Sequence, residues 1–270
     1  MKWPLKRIAG WLTLLRQVQW VARLTPRKSW YRAALVACKI QGILVSWFGG
    51  NRLLTEAVML DHWLVELTRI APFPIPWTIT GAEVIGADPT RPILYCWIHE
   101  PLAEFPLRPL LERGFAEPVV VADPGRITAN GQLLVAGMPQ RLTTITANLH
   151  ALARVRKYLQ EGVPVACLAD AKMGGPLYSL ALRLVGRIGA RVIFLWAKRR
   201  ADGTIDVTFA HAPRPYCETK EAVQENLAYL HEAQTRMLKS LGQQPQLLQP
   251  QLESDFLSER GQRFSQRKTR

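Results

Sequence analysis

The sequence predicts an α/β protein: a mixed β-sheet flanked by helices, preceded by an N-terminal helical segment that associates with a membrane. Three observations carry that expectation. From about residue 77, short runs rich in β-branched and aromatic residues alternate with stretches of helical period, the pattern of a sheet covered by helices on its faces. The residues before that read as successive apolar helices with Lys and Arg scattered among them. Lys and Arg number 35 against 21 Asp and Glu, a net charge of +14, which calls for an anionic partner. The expected organisation is an N-terminal helical part (1–76), an α/β domain (77–242) and a basic, disordered tail (243–270).

Residues 1–28 carry Ile8, Trp11, Leu12, Leu15 and Val18 at helical spacing, punctuated by Lys6, Arg7, Arg16 and Arg23 and ended by Pro26. This is a basic amphipathic helix, lying in a headgroup layer or packed on its own domain. Residues 33–48 are apolar but interrupted by Lys39 and Gln41. They fall short of the roughly 20 residues of a spanning helix, so a buried or membrane-dipping helix and monotopic attachment are expected. Residues 51–70 predict a further helix, which the three prolines of "APFPIPW" (71–77) break. Nine tryptophans in the chain suit a lipid–water interface.

Within the α/β part, "WTITGAEVI" (77–85) and "RPILYCWI" (91–98) read as strands, followed by a helix from Pro101 to Arg113. "PVVVAD" (118–123) is a strand, and residues 144–162 are a helix closed by Gly162. "VPVACLAD" (163–170) is a strand, then comes a helix from Leu177 to Ile188. Residues 191–199 and 204–212 are strands joined at Asp202-Gly203, a hairpin turn. A last helix covers 219–241. Four cysteines stand far apart with no CxxC pair, against a disulfide or metal framework and in keeping with a reducing compartment.

The strand that ends at Ile98 delivers His99 at its C-terminal end, where ligands gather in open α/β sheets. Pro101 suits a first helical turn, and Glu104 follows His99 by five residues. A carboxylate on one imidazole nitrogen fixes the tautomer and raises the basicity of the other. That other nitrogen then takes a proton from an alcohol as it attacks an activated acyl group. Glu100 is an alternative partner or a helix cap, and a His-x4-Glu spacing taken alone also arises by chance.

The stretch "WIHEPLAEFPLRPLLERG" resembles the HX4(D/E) block of the lysophospholipid acyltransferase superfamily, in the form found in bacterial lipid A late acyltransferases. "GVPVACLAD" and "LRLVGRIGARVIFLWAKRRADGTIDVTFA" are similar to later segments of that branch in the same order, over about residues 30–240. The resemblance implies that His99 is a general base and Glu104 its orienting partner. It implies acyl transfer from an acyl carrier protein or coenzyme A thioester to a lipid acceptor, with a lipid A precursor among the acceptors and no metal, cofactor or acyl-enzyme. It places the protein on the cytoplasmic face of the inner (plasma) membrane, peripheral or monotopic, against anionic lipid. The chain also departs from the branch: "ADAKMGGPLYSLALRL" keeps Gly174 and Gly175 but lacks the aromatic pair and the threonines that usually follow the Asp strand.

Further substrate-binding candidates are Arg126, whose planar fork suits an acceptor phosphate, and Asp170, Lys172, Gly174 and Gly175 after the strand "VPVACLAD". For each the plainer alternative is a solvated side chain, a cap or a connecting turn. Arg183 and Arg187, four apart, share a helix face. His62, His150, His211 and His231 lack a partner motif; His211 reads as surface and His150 as packing. No G-x-S-x-G elbow competes for a nucleophile's role, and no helix-turn-helix, zinc or RNP-type signature supports nucleic acid as the partner. Two other functions remain open: a lysophosphatidic acid or glycerophospholipid acyltransferase, and a non-catalytic basic lipid-binding protein.

Overall fold

The structure, a computed structural model, describes residues 17–47, 59–64, 66–67, 70–71, 75–100, 102–103, 105–122, 132–134, 141–148, 150–170, 174–200 and 204–240. Seven strands form one mixed sheet: β1 (Trp77–Thr80), β2 (Ile93–Trp97), β3 (Val119–Ala122), β5 (Arg141–Thr146), β6 (Val165–Leu168), β7 (Arg191–Arg199) and β8 (Ile205–His211). Their spatial order is β1-β8-β7-β2-β6-β3-β5, and the short β4 (Gln132–Leu134) adds antiparallel to the β5 edge. The five strands from β7 to β5 run parallel. β8 returns antiparallel to β7, the hairpin that Asp202-Gly203 predicts, and β1 lies parallel to β8.

Burial along β2 is continuous from Leu94 to Ile98, as expected for a central strand covered on both faces. The period of two divides its side chains between two cores. Tyr95 and Trp97 join one that includes Trp30, Trp63, Leu67, Leu110 and Leu195. Leu94, Cys96 and Ile98 join the other, with Val155, Leu159, Val185 and Leu230. The first core is roofed by α1 (17–24), α2 (Trp30–Trp47), α3 (helical at 59–64, 66–67 and 70), α4 (Glu83–Gly86) and α5 (Leu107–Glu112). The second is roofed by α6 (Ala151–Gln160), α7 (Leu180–Ile188) and α8 (Lys220–Ser240).

The N-terminal helices therefore share a core with the sheet. In α2, Trp30, Ala34, Cys38 and Gly42, four apart, are buried and form one stripe of a 3.6-residue helix. Arg199 of β7 also meets Asp61 of α3 at 2.8 Å. Burial pushes the Asp61 carboxyl above its ordinary range, although Arg199 pulls it back. A second stripe of α2, Val36, Ile40, Leu44 and Trp47, is equally apolar and points outward, with Trp47 75% exposed. Trp20 and Leu24 of α1 are exposed as well. Among the described residues no helix is long and apolar enough to cross a membrane.

Several elements differ from their sequence-predicted extents. The strand expected over 77–85 stops at Thr80, because Gly81 adopts φ +75° with its Cα against the Phe209 carbonyl, a conformation open to glycine. Residues 83–86 then form a single helical turn, α4. The helix expected from Pro101 starts only at Leu107. Before it, hydrogen bonds from Ala103 to Glu100, Phe105 to Leu102 and Arg108 to Phe105 wind the chain through three-residue turns. Phe105 precedes Pro106, and a residue before proline is disfavoured in a helix. Residues 144–146, expected to open a helix, belong instead to β5, where their β-branched side chains fit a pleated surface. α7 begins at Leu180, since Leu177 makes an isolated antiparallel bridge with Asp170. Residues 1–16 and the tail from 243 lie outside the described residues.

Candidate active site

The register of two neighbouring strands creates the site. β2 and β6 run parallel with Leu94 beside Val165, Cys96 beside Cys167 and Trp97 beside Leu168. Every partner lies 71 positions further along the chain, so the same step continued beyond the strand ends sets His99 beside Asp170. Side chains at one step of a parallel pair project to the same face. The pairing persists past Trp97, with the Ala169 N–H donating to the Trp97 carbonyl at 2.6 Å.

Asp170 Oδ1 accepts two hydrogen bonds from His99, one from the backbone N–H at 2.8 Å and one from ring Nδ1 at 2.9 Å. Asp170 Oδ2 accepts from Nε2 of Gln234, on α8, at 3.1 Å. The carboxylate is sealed at 0% exposure, whereas the imidazole is 24% exposed. A buried anion persists only where donors replace its water, and here three do. With Nδ1–H directed at Asp170, the lone pair of the neutral ring lies on Nε2. No described residue partners Nε2.

The chain beyond His99 is pinned at two points. Trp97 Nε1 donates to the Ala103 carbonyl at 2.9 Å. Glu100 turns away from the imidazole toward β7, where Oε1 accepts the Ala197 N–H at 2.8 Å. The β2–β7 register reaches Cys96 and Phe194, so this carboxyl serves a strand N–H beyond the end of the ladder. Burial pushes Glu100 up to about 8; the Ala197 N–H works against that rise, and the nearby carboxylates of Asp61 and Asp170 add to it. Beneath the pair, the Cys96 thiol is driven well above its ordinary range, first by its hydrogen bond with Cys167 and then by burial. All four cysteines are buried thiols outside any disulfide, so none is an activated nucleophile.

The structure thus brings His99 and Asp170 together and sets Gly174 and Gly175 nearby. The Gly175 carbonyl accepts from Gln234 Nε2 at 3.0 Å, and a Cβ on Gly174 would touch Leu238 at 3.4 Å. Asp170, expected among the substrate-binding residues, stands instead behind the imidazole with both oxygens on protein donors. Glu104, expected to orient His99, and the candidates Arg126 and Lys172 lie outside the described residues. His62, His150, His211 and His231 are all exposed; His150 stands just before the first turn of α6, with no side-chain hydrogen bond to it, and does not pack inside the helix. Among the described residues no group of three or more His, Cys, Asp or Glu is arranged to hold a metal ion.

Gln234 is the residue that the sequence reading missed, although a signal for it exists. Asn226, Leu230, Gln234 and Leu238 recur every four residues along α8 and are all buried. A carboxamide on the buried stripe of an amphipathic helix needs a partner. Asn226 finds Arg214 and Cys217, and Gln234 finds the site.

No family model matches the chain, and no curated protein matches it.

Proposed function

We propose that the protein is a membrane-associated acyltransferase that moves a fatty acyl group from a thioester to a hydroxyl or amine of a lipid acceptor. The observation that carries this reading is the 2.9 Å contact between His99 Nδ1 and a fully buried carboxylate at the C-terminal edge of the parallel strands, with the imidazole itself 24% exposed. In this reading His99 Nε2 takes the acceptor's proton as its oxygen or nitrogen attacks the thioester carbonyl. The tetrahedral intermediate collapses, the C–S bond breaks, and the proton on Nε2 passes to the departing thiolate. Asp170 holds the tautomer and stabilises the imidazolium between the two transfers.

The resemblance assigns the orienting carboxylate to Glu104; the proposal gives that task to Asp170, on the contact described. Carrier protein or coenzyme A supplies the thioester. Lipid A precursors and lysophospholipids are the acceptor classes that the resemblance implies. Supporting attachment to a membrane, Trp20 and Leu24 of α1 are exposed apolar residues, as are Val36, Ile40, Leu44 and Trp47 of α2. The described residues 17–47 contain Arg23, Arg27, Lys28, Arg32 and Lys39 and no Asp or Glu. Tryptophans and cations beside an apolar stripe suit an anionic headgroup layer.

The test is lipid mass spectrometry on cells with and without the gene, followed by the purified protein on vesicles of the implicated lipid with an acyl thioester. The wild type is expected to add one acyl chain, and His99→Ala to lose turnover while still binding the vesicles. Turnover that survives in His99→Ala refutes the proposal.

A further inference from the structure

We infer that Gln234 is a positioning residue of the site, holding Asp170 in the orientation that lets it receive both N–H groups of His99. The inference rests on the reading of His99 as a proton acceptor. Gln234 is 4% exposed and stands on the buried stripe of α8, where a leucine would fill comparable space without a polar atom to satisfy. Its amide nitrogen makes two hydrogen bonds at the site, to Asp170 Oδ2 at 3.1 Å and to the Gly175 carbonyl at 3.0 Å. An amide nitrogen carries two hydrogens, so this side chain spends its whole donor capacity there.

The geometry gives that donor a specific task. Asp170 Oδ1 is already committed to the backbone N–H and Nδ1 of His99. A carboxylate rotates about its Cβ–Cγ bond with a broad, roughly two-fold preference, and Oδ1 faces both groups only over part of that range. The bond at Oδ2 fixes the rotation from the opposite side and supplies a third donor to a charge that water does not reach. Without it the carboxylate is a weaker partner for a charged imidazole, and His99 becomes less basic. The same amide ties down Gly175, five residues after Asp170. One side chain of α8 therefore holds both the dyad and the Gly175 carbonyl.

The experiment reads the imidazole directly. His99 is titrated by NMR of its ring in the full chain, as wild type and as Gln234→Leu, with Gln234→Met as a second variant that keeps the chain length without a donor. A hydrogen bond to a charged group contributes enough to move a titration midpoint by about one pH unit. The His99 midpoint is expected to fall by that amount in a folded variant. The acidic limb of kcat/KM should move with it, and kcat should drop about tenfold at unchanged KM. In the wild type, the side-chain amide resonance of Gln234 should shift through the His99 midpoint, a measurement that needs no variant. A His99 midpoint unchanged in a folded variant, or a Gln234 resonance flat through the titration, overturns the inference. Wild-type protein that transfers no acyl group, yet shows both NMR effects, sinks the proposed reaction and leaves the role of Gln234 standing.

Discussion

Replacing Glu100 by Gln should stabilise the protein selectively at neutral and alkaline pH. In the folded chain this carboxyl keeps its proton to about 8, chiefly because it is buried; in the unfolded chain it loses the proton near its ordinary value of 4.5. Between those values the folded state holds a proton that the unfolded state has released. Stability from this group is therefore complete below 4.5, declines as pH rises, and is lost above about 8. Each pH unit across that window is worth about 1.4 kcal/mol. The deficit is about 2 kcal/mol at pH 6 and no more than about 5 kcal/mol above pH 8. Gln is neutral in both states and keeps an oxygen for the Ala197 N–H. Its unfolding free energy should match the wild type near pH 4.5 and exceed it progressively above. Guanidinium denaturation of both proteins at pH 5, 6, 7 and 8 reads the difference, in which titrating groups remote from Glu100 cancel. Two curves separated by a constant amount across that range would refute the argument, because a constant offset contains no proton.

Other expectations follow from the same contacts. Asp170→Asn presents an amide where every neighbour is a donor, so one N–H must face another; kcat should fall about 100- to 10,000-fold and stability by about 1–3 kcal/mol, read by turnover and by thermal melting. Gly186→Ala would place a Cβ 2.0 Å from the Cys217 carbonyl oxygen, where α7 meets the turn before α8. A loss of about 3 kcal/mol or more is expected in a denaturant titration. Ile40→Gln with Leu44→Gln, on the outward stripe of α2, should weaken co-sedimentation with vesicles of anionic phospholipid at least about tenfold. Its melting temperature should stay close to that of the wild type, since these positions are exposed.

The sequence revealed the alternation of strand and helix, the β7–β8 hairpin and His99 at a strand end because each is a local signal. What it hid is long-range. Nothing near Asp170 in the chain says that its neighbour lies 71 positions earlier; that follows from which strands pair. Five-residue proximity drew attention to Glu104, while sheet order brought Asp170 to the ring. Arg191 looked like an ordinary first residue of a strand. In the fold it is 1% exposed and ends α4 by donating to the Val84 and Ile85 carbonyls at 2.6 and 2.7 Å. One of the misplaced boundaries has a long-range cause as well. Thr144–Thr146 fit a helical period by spacing, yet their branched side chains pair with β3 in the sheet.

Because the histidine and the aspartate meet by strand pairing, their spacing does not depend on how much polypeptide separates them. The connections between α5, β3, β5 and α6 could change in length, and the His99–Asp170 pair would survive wherever β6 still zips between β2 and β3. Removing a single residue between Val165 and Ala169 would do the opposite, drawing Asp170 back one step and turning its carboxylate to the far side of the sheet. The register therefore holds the five residues from Val165 to Ala169 to their number, while the connections of the long insert carry no such constraint.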